Sequence, residues 1–222
     1  MSSMLGKHRW DVSTSEAIAL QRQLRDQVLA TNGITLATLK TIAGVDASYQ
    51  EKTGEAKAAV VVLAFPDLEV IEQVVITRPI NFPYVPGLLS FREAPAVLDA
   101  LGSLRARPDL LMCDGQGYAH PRRLGLASHL GVYLDMPSIG CAKSRLIGAY
   151  DEPGPTQGSL SPLTDHGERI GMVLRSKTGT RPLFISIGHR IDLATSVELV
   201  LQCLRGYRLP EPTRLADKLS KT

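Results

Sequence analysis

A run of apolar residues from Leu110 to Cys113 stops on an acid, Asp114, and Gly115, Gln116 and Gly117 follow at once. A short apolar run bounded in this way reads as a buried strand, so Asp114 stands where a central strand leaves the core. The glycines behind it let another backbone, a phosphate or a base come close. His120, Arg122 and Arg123 complete the stretch. An acid, two glycines, a histidine and two arginines in so short a segment suit a metal-dependent reaction on a phosphodiester.

The rest of the chain supplies a sheet around that strand. Ser13 followed by Glu16 is a capping-box pattern, and Ile18, Leu24, Val28 and Leu29 form an apolar helical stripe up to about Ala30. Thr41 to Tyr49 reads as a strand whose one charge is Asp46. Ala58 to Phe65 is a fully apolar strand, and Glu69 to Thr77 alternates as a half-exposed one. Pro79 to Gly87 reads as a structured loop. A helix is expected over Ala94 to Leu104, with Pro95 tolerable in its first turn and Glu93 at its very start. Further expectations are a strand at Leu110 to Asp114, a helix over Leu124 to Leu134 and a strand at Ser138 to Ala142. Gly148 to Gly167 reads as loop, followed by strands at Arg169 to Arg175 and Leu183 to Ser186 and a helix from Leu193 to Arg205. Three early strands followed by βα alternation predict one α/β domain over residues 1–222, a mixed sheet with helices on both faces.

At 222 residues, 44% hydrophobic and 21% charged, the chain has the balance of a soluble globular protein. A net charge of +3 permits an anionic partner without demanding one. Cys113, Cys141 and Cys203 lack the paired spacing of a zinc site. As an odd set lying largely in apolar runs they read as reduced core thiols of a cytoplasmic protein. MSSMLGKHRW has no apolar core of a secretory signal, and Ala58 to Phe65, the longest apolar run, is too short to span a bilayer.

Asp46 and Asp114 interrupt or end strands that are otherwise nearly all apolar, Glu93 opens a helix, and Asp217 follows the PEPTRLAD segment. Such acids can converge at one sheet edge. Two unit charges about 4 Å apart repel by roughly 4 kcal/mol at an effective dielectric near 20, so the cluster must bind protons or cations. Oxygen ligands select Mg²⁺ or Mn²⁺, which activate a water and stabilise a leaving oxygen. Each acid also has a plain reading: a strand-end Asp as a turn or cap, Glu93 as capping-box partner of Ser90, Asp217 as a solvated helix residue.

Pro83 and Pro86 stiffen a loop carrying Phe82, Tyr84 and Val85. A rigid aromatic tip can wedge between stacked bases, at a cost of a few kcal/mol per unstacked step by order of magnitude; Tyr84 packing the loop onto the core is the plain alternative. Arg122, Arg123, Lys143 and Arg145 face one acid between Tyr118 and Ala149, and the C-terminal segment is also basic through Arg205, Arg208, Arg214, Lys218 and Lys221. Two such patches suit a phosphate backbone. His120 and Lys143 are candidates to touch the reacting phosphate. His129 reads as structural and His189 as a helix cap. A Cys113 nucleophile is disfavoured because Cys113 points to the opposite strand face from Asp114.

The segments GVDASY, FPYVPGLLSFRE, DGQGYAHPRRLGLASH, SIGCAKSRL, GHRID and GYRLPEPTRLAD resemble endonuclease V, the deoxyinosine 3′ endonuclease family, from about Trp10 to Asp217. The resemblance implies a ribonuclease H-like fold and a Mg²⁺ site, open to Mn²⁺, at Asp46, Glu93 and Asp114. Asp217 is an implied fourth member, at a position that varies between Asp and His; Gln116 stands where some members carry histidine. Tyr84 would be the strand-separating wedge, with His120 and Lys143 near the scissile phosphate. Gly87, Leu89, Gly115, Gly125 and Leu146 would form the base pocket, and Arg122, Arg123 and Arg214 phosphate contacts.

The implied activity is cleavage of the second phosphodiester 3′ to deoxyinosine in DNA, leaving 3′-OH and 5′-phosphate ends and initiating repair of deaminated adenine. A monomer is expected, with DNA as partner. An endoribonuclease acting on inosine in RNA, or a damaged-base binder that does not cut, are the alternatives, with a thiol hydrolase as a remote third.

Overall fold

Strand-forming apolar segments dominate the chain, and in the computed structural model they assemble into one eight-stranded sheet ordered β3-β2-β1-β4-β5-β8-β7-β6. The structure describes residues 8–50 and 53–222; residues 1–7, on which most of the N-terminal reading rests, lie outside the described residues. In chain order the elements are α1 (Thr14–Leu24), β1 (Thr41–Gln50), β2 (Glu55–Ala64), β3 (Val70–Pro79), α2 (Leu89–Gly102), β4 (Leu110–Cys113), α3 (Leu126–Leu134), β5 (Ser138–Ala142), β6 (Leu160–Asp165), β7 (Glu168–Leu174), β8 (Leu183–His189), α4 (Leu193–Gln202) and α5 (Glu211–Ser220). Strands β1, β2 and β3 form an antiparallel meander, while β1, β4 and β5 run parallel. β8, β7 and β6 continue antiparallel beyond β5. This is a mixed ribonuclease H-like α/β sheet with helices on both faces, as the alternation of elements predicts.

Side-chain alternation assigns the two faces. Ala43, Val45, Leu111 and Cys113 pack against Val97 of α2 and Leu130 of α3. Ile42, Leu110, Met112 and Ile139 face the other way, against Val197 and Val200 of α4. Cys113 therefore does lie opposite the face that Asp114 continues. The C-terminal helix α5 covers the α4 side of β2, where Ala216 meets Val61 and Leu63. It reaches β1 because Gly44 has no side chain: a Cβ there would lie 1.9 Å from the Pro212 carbonyl oxygen.

Four local expectations are corrected. α1 has the full capping box of Ser13 and Glu16 but ends at Leu24, and a 3₁₀ turn, Arg25–Gln27, breaks the stripe before Val28. α2 begins five residues before Ala94, so Pro95 lies inside the helix and Glu93 in its second turn. An interior proline removes one backbone hydrogen bond, a cost of about 3 kcal/mol offset here by burial of Phe91, Ala94, Ala96, Val97 and Ala100. Ser90 is accordingly a helix residue, its Oγ 2.8 Å from His129 Nδ1, and not a cap for Glu93. Finally, Leu160–Asp165, read as loop, is the edge strand β6, with Pro162 at a position only an edge strand tolerates. α4 is capped by Asp192, whose carboxylate accepts from the Thr195 N–H at 2.7 Å, and not by His189.

Candidate active site

Parallel strands place their C-terminal ends at one edge, where ligands of open α/β sheets collect. Asp46 follows Val45, the last β1 residue paired with β4, and Asp114 lies just past β4, its N–H donating to the Val45 carbonyl at 2.8 Å. Lys143 follows β5 directly. α5, seated on Gly44, brings Asp217 to the same edge. One carboxylate oxygen from each of Asp46, Asp114 and Asp217 lies within 4.8 Å of the others, the one such group among the described residues. Ser220 Oγ donates to Asp46 Oδ2 at 2.5 Å, and Ser48 Oγ donates to the Ser220 carbonyl at 2.6 Å, so β1 and the end of α5 are stitched together at the cluster.

Burial raises the Asp46 carboxyl above the usual range, against the hydrogen bond from Ser220, and pushes Asp114 up to about 7 against the pull of Lys143. Asp217 moves the other way: its burial is outweighed by hydrogen bonds from Lys143 and from Lys221 Nζ at 2.6 Å. The Lys143 ammonium bridges Asp114 and Asp217, and those contacts raise its pKa in spite of burial. Asp114 Oδ2 is buried with no aligned hydrogen-bond donor, the ammonium lying against it. A cluster of hard oxygen donors, one of them buried and held by an ion pair alone, fits a divalent cation of the Mg²⁺ class.

Glu93 stands apart from this trio. It reaches the cluster from α2, on the other face of the sheet, and its Oε1 accepts from the Tyr49 hydroxyl at 2.7 Å. Burial first, then Asp46 and Asp114, push its carboxyl up to about 8. The cluster that the fold assembles is thus Asp46, Asp114 and Asp217, with Glu93 behind it.

Beside the acids lies a cavity of about 390 Å³ lined by Tyr84, Gly87, Leu89, Gly115, Gly125 and Leu146, together with Asp114, Gln116, His120 and Lys143. All five residues of the expected base pocket meet here, and the expected wedge, Tyr84, stands at the rim 70% exposed. The N-termini of α2 and α3 both open on the cavity, and neither carries a side-chain cap; the Phe91 and Ala127 N–H groups are taken by the Leu88 and Gln116 carbonyls, which leaves those of Leu89 and Leu126 for a ligand. Gly87 turns the chain at φ +80°, which glycine adopts without strain. Its carbonyl accepts three donors: Gln21 Nε2 at 3.0 Å, His120 Nε2 at 2.9 Å and Arg122 Nη2 at 2.7 Å.

That anchorage engages several of the residues expected near the phosphate. His120 Nδ1 accepts from the Arg122 N–H at 3.1 Å, so both ring nitrogens are engaged within the pocket wall. Burial, with Arg122 nearby, brings its pKa down to about 4, which favours the neutral ring. Arg122 Nε donates to Gln21 Oε1 at 2.5 Å. Arg123 is paired with Asp165 and Glu168, each at 2.8 Å. Arg214 is paired with Glu211 and lies 4.4 Å over the Tyr207 ring. The Arg123 and Arg214 charges are thus paired with carboxylates, whereas Arg122 meets only neutral acceptors and makes no ion pair among the described residues. Gln21 was missed as a site residue; the available signal was a polar side chain on the Ala17–Gln21–Leu24 stripe, where an apolar one is expected. Cys113 is fully buried, and burial drives its thiol far above the range in which a nucleophile works.

A family model described as endonuclease V matches residues 22–218. The chain belongs to the endonuclease V family. Endonuclease V of Nostoc punctiforme is 54% identical over 213 residues, which cover 96% of each chain. The solved endonuclease V of Streptomyces avermitilis is 41% identical with a TM-score of 0.91, over 99% of this chain and 96% of that one. Endonuclease V of Ciona intestinalis, solved with a DNA containing an inosine followed by a ribo-adenosine, is 29% identical with a TM-score of 0.82, over 93% and 95% of the two chains. Membership makes the chain an endonuclease. No helix among the described residues is long and apolar enough to cross a membrane.

Proposed function

We propose that this chain is a Mg²⁺-dependent endonuclease that captures hypoxanthine flipped out of DNA and hydrolyses the second phosphodiester on its 3′ side, leaving 3′-OH and 5′-phosphate ends and so starting repair of deaminated adenine. One observation carries the reading: the cavity holding all the expected base-contacting residues shares Asp114 and Lys143 with the acidic cluster. A base seated in that cavity therefore has its own strand beside the carboxylates. The continuous sheet supports reading the chain as one catalytic domain, and nothing in the reaction requires a second copy.

The pocket discriminates by donor and acceptor pattern. Uncapped N–H groups of α2 and α3 present donors, which match the O6 acceptor of hypoxanthine and oppose the exocyclic amine of adenine. Leaving one buried partner unsatisfied costs about 1–3 kcal/mol, a factor of roughly 5 to 150 per group. The three donors on the Gly87 carbonyl hold this wall rigid, so the pocket cannot open to relieve a mismatch. Tyr84, exposed at the rim, fills the gap the flipped base leaves, and a weakly paired base is the easiest to extract.

Asp46, Asp114 and Asp217 would hold the cation, which when bound supplies a nucleophile at neutral pH and stabilises the leaving oxygen. Ser220 fixes the Asp46 carboxylate from behind. Lys143, long and partly exposed, is able to swing from the carboxylates to the phosphate while keeping its charge. Glu93, close to half protonated near pH 8, is the group able to take up or give back a proton behind the cluster.

The deciding experiment incubates the protein with an end-labelled duplex carrying one deoxyinosine, with Mg²⁺ and then with EDTA. A single chelation-sensitive nick 3′ to the lesion is expected; equal cutting of an unmodified duplex refutes the reading. The ribo-adenosine in the Ciona complex supports a second reading, inosine in RNA, and matched DNA and RNA strands in the same assay separate the two.

A further inference from the structure

We propose that the groove on the far side of Lys143 binds the strand that continues 3′ of the cleaved bond, with the Arg181 guanidinium on a phosphate and the Tyr150 ring under a base. The inference rests on the proposed reaction and extends it to a part of the surface that the base pocket and the acids do not use.

The groove encloses about 500 Å³, and its lining includes Tyr150, Glu152, Arg175 and Arg181 as well as Lys143 and Ser144. Lys143 and Ser144 also line the base cavity. The two depressions therefore meet at the residues beside the carboxylates. A strand that leaves a base in the first and is cut at Lys143 enters the second without leaving the protein surface. Because the cut lies 3′ of the captured base, the segment entering the groove is the 3′ one.

The chemistry of the groove fits that segment. Its one acid, Glu152, is paired with Arg175 at 2.5 Å. Arg181 is exposed and makes no ion pair among the described residues, in contrast to Arg123 and Arg214. Arg208 fixes its position: the Arg208 guanidinium donates to the backbone carbonyls of Arg181 at 2.8 Å, Pro182 at 3.0 Å and Lys143 at 2.6 Å. One side chain thus ties the backbone of the groove cation to the backbone of the residue at the acids. Tyr150 is braced from below by Phe184, with ring centroids 5.4 Å apart, and Arg145 lies 5.7 Å from its ring centroid. A supported aromatic ring next to an unpaired cation is the combination that holds single-stranded nucleic acid without reading its sequence.

The test measures binding by fluorescence anisotropy in EDTA, so that cleavage plays no part. Deoxyinosine-containing single strands are compared that end just past the proposed cut, extend about eight nucleotides further 3′, or extend equally far 5′. Wild-type protein is expected to bind the 3′-extended strand more tightly than the short one. Arg181→Ala should lower affinity for the 3′-extended strand about three- to tenfold and reduce its salt slope by about 0.7. The short and 5′-extended strands should bind as before. Tyr150→Leu should reduce the same increment without changing the salt slope. Arg105→Ala, which removes a charge 93% exposed at a distant corner, should change nothing. Equal losses on the 3′- and 5′-extended strands, or no loss on either, overturn the proposal. Failure of the wild-type protein to nick a deoxyinosine duplex overturns the proposed reaction instead, while the anisotropy series still decides the groove.

Discussion

Replacing Gly44 with alanine would drive a methyl group into the backbone of α5. The new Cβ would lie 1.9 Å from the Pro212 carbonyl oxygen, 2.2 Å from its carbon and 2.8 Å from Cα, all main-chain atoms that no rotamer change can move. Ordinary contact begins near 3.4 Å, so the start of α5 must retreat by about 1.5 Å. Overpacking of this kind costs about 1–3 kcal/mol, and at 2–4 °C per kcal/mol for a domain of this size the melting temperature should fall by about 2–12 °C. The larger effect falls on chemistry. Asp217 rides on α5 and Ser220 holds Asp46, and a misplacement near 1 Å at a reacting centre costs about 100-fold in rate. The base cavity is built by α2, α3 and their loops, so affinity for a deoxyinosine duplex in EDTA should change less than threefold by the same reasoning. The assay pairs single-turnover nicking with that binding measurement and a melting curve. Gly102→Ala is the control, since nothing lies within 4 Å of a Cβ there. If Gly44→Ala nicks within about fivefold of wild type, α5 does not position the cluster and the reasoning fails.

Asp46→Ala should abolish nicking yet retain lesion binding, because Asp46 is not among the residues lining the base cavity, and Asp114→Ala, which removes one lining carboxylate but leaves the glycines and leucines, should do the same; lost binding would assign them to the pocket. Tyr84→Ala should weaken lesion-duplex binding by roughly 5- to 150-fold, the equivalent of one lost stacking partner, and leave the melting temperature unchanged because the ring is largely exposed. Burial holds the Glu93 carboxyl near 8 and Asp114 near 7, above their unfolded values near 4. The folded chain therefore binds more protons than the unfolded one across this interval, and stability in EDTA should fall as pH rises from 6.5 to 8.5. That window lies above the range in which the buried His120 and His129 resist protonation. Melting curves of wild type and Glu93→Gln test it: the variant should have the shallower slope, and equal slopes would place the titration elsewhere. Cys113→Ser should nick at the wild-type rate while melting lower, since a buried hydroxyl without a partner costs about 1–3 kcal/mol; a lost rate with retained fold would reopen thiol chemistry.

Much of this architecture was visible in the chain because its strands are apolar runs punctuated by acids: Asp46 and Asp114 stand out against Ile42, Val45, Leu111 and Met112. What stayed hidden has a common physical origin. β6 alternates burial on an exposed edge and carries a proline, so its period is short and its composition loop-like. α5 buries Pro212, Thr213, Ala216 and Ser220, a contact of small residues against a glycine, with Leu215 and Leu219 only partly buried beside them. Asp217 stood among the candidate acids although its neighbours do not mark a ligand, and family resemblance added it as an implied fourth member of the site. Charge counted along the chain does not reveal that Arg123 meets Asp165 and Glu168, 42 and 45 residues away. Glu93 was displaced by one proline: once Pro95 proves to lie inside α2, the carboxylate moves from the helix start to the buried second turn beside Tyr49.

The seating of α5 on Gly44 also sets an order of events during synthesis. Every strand of the sheet and the whole base cavity are encoded before residue 190, whereas Asp217 and Ser220 leave the ribosome only after them. On the chemistry proposed, a nascent polypeptide that has not yet reached α5 has no competent cutting centre. Strand scission is thereby withheld until translation has passed α5, a safeguard against half-made nuclease acting on the genome.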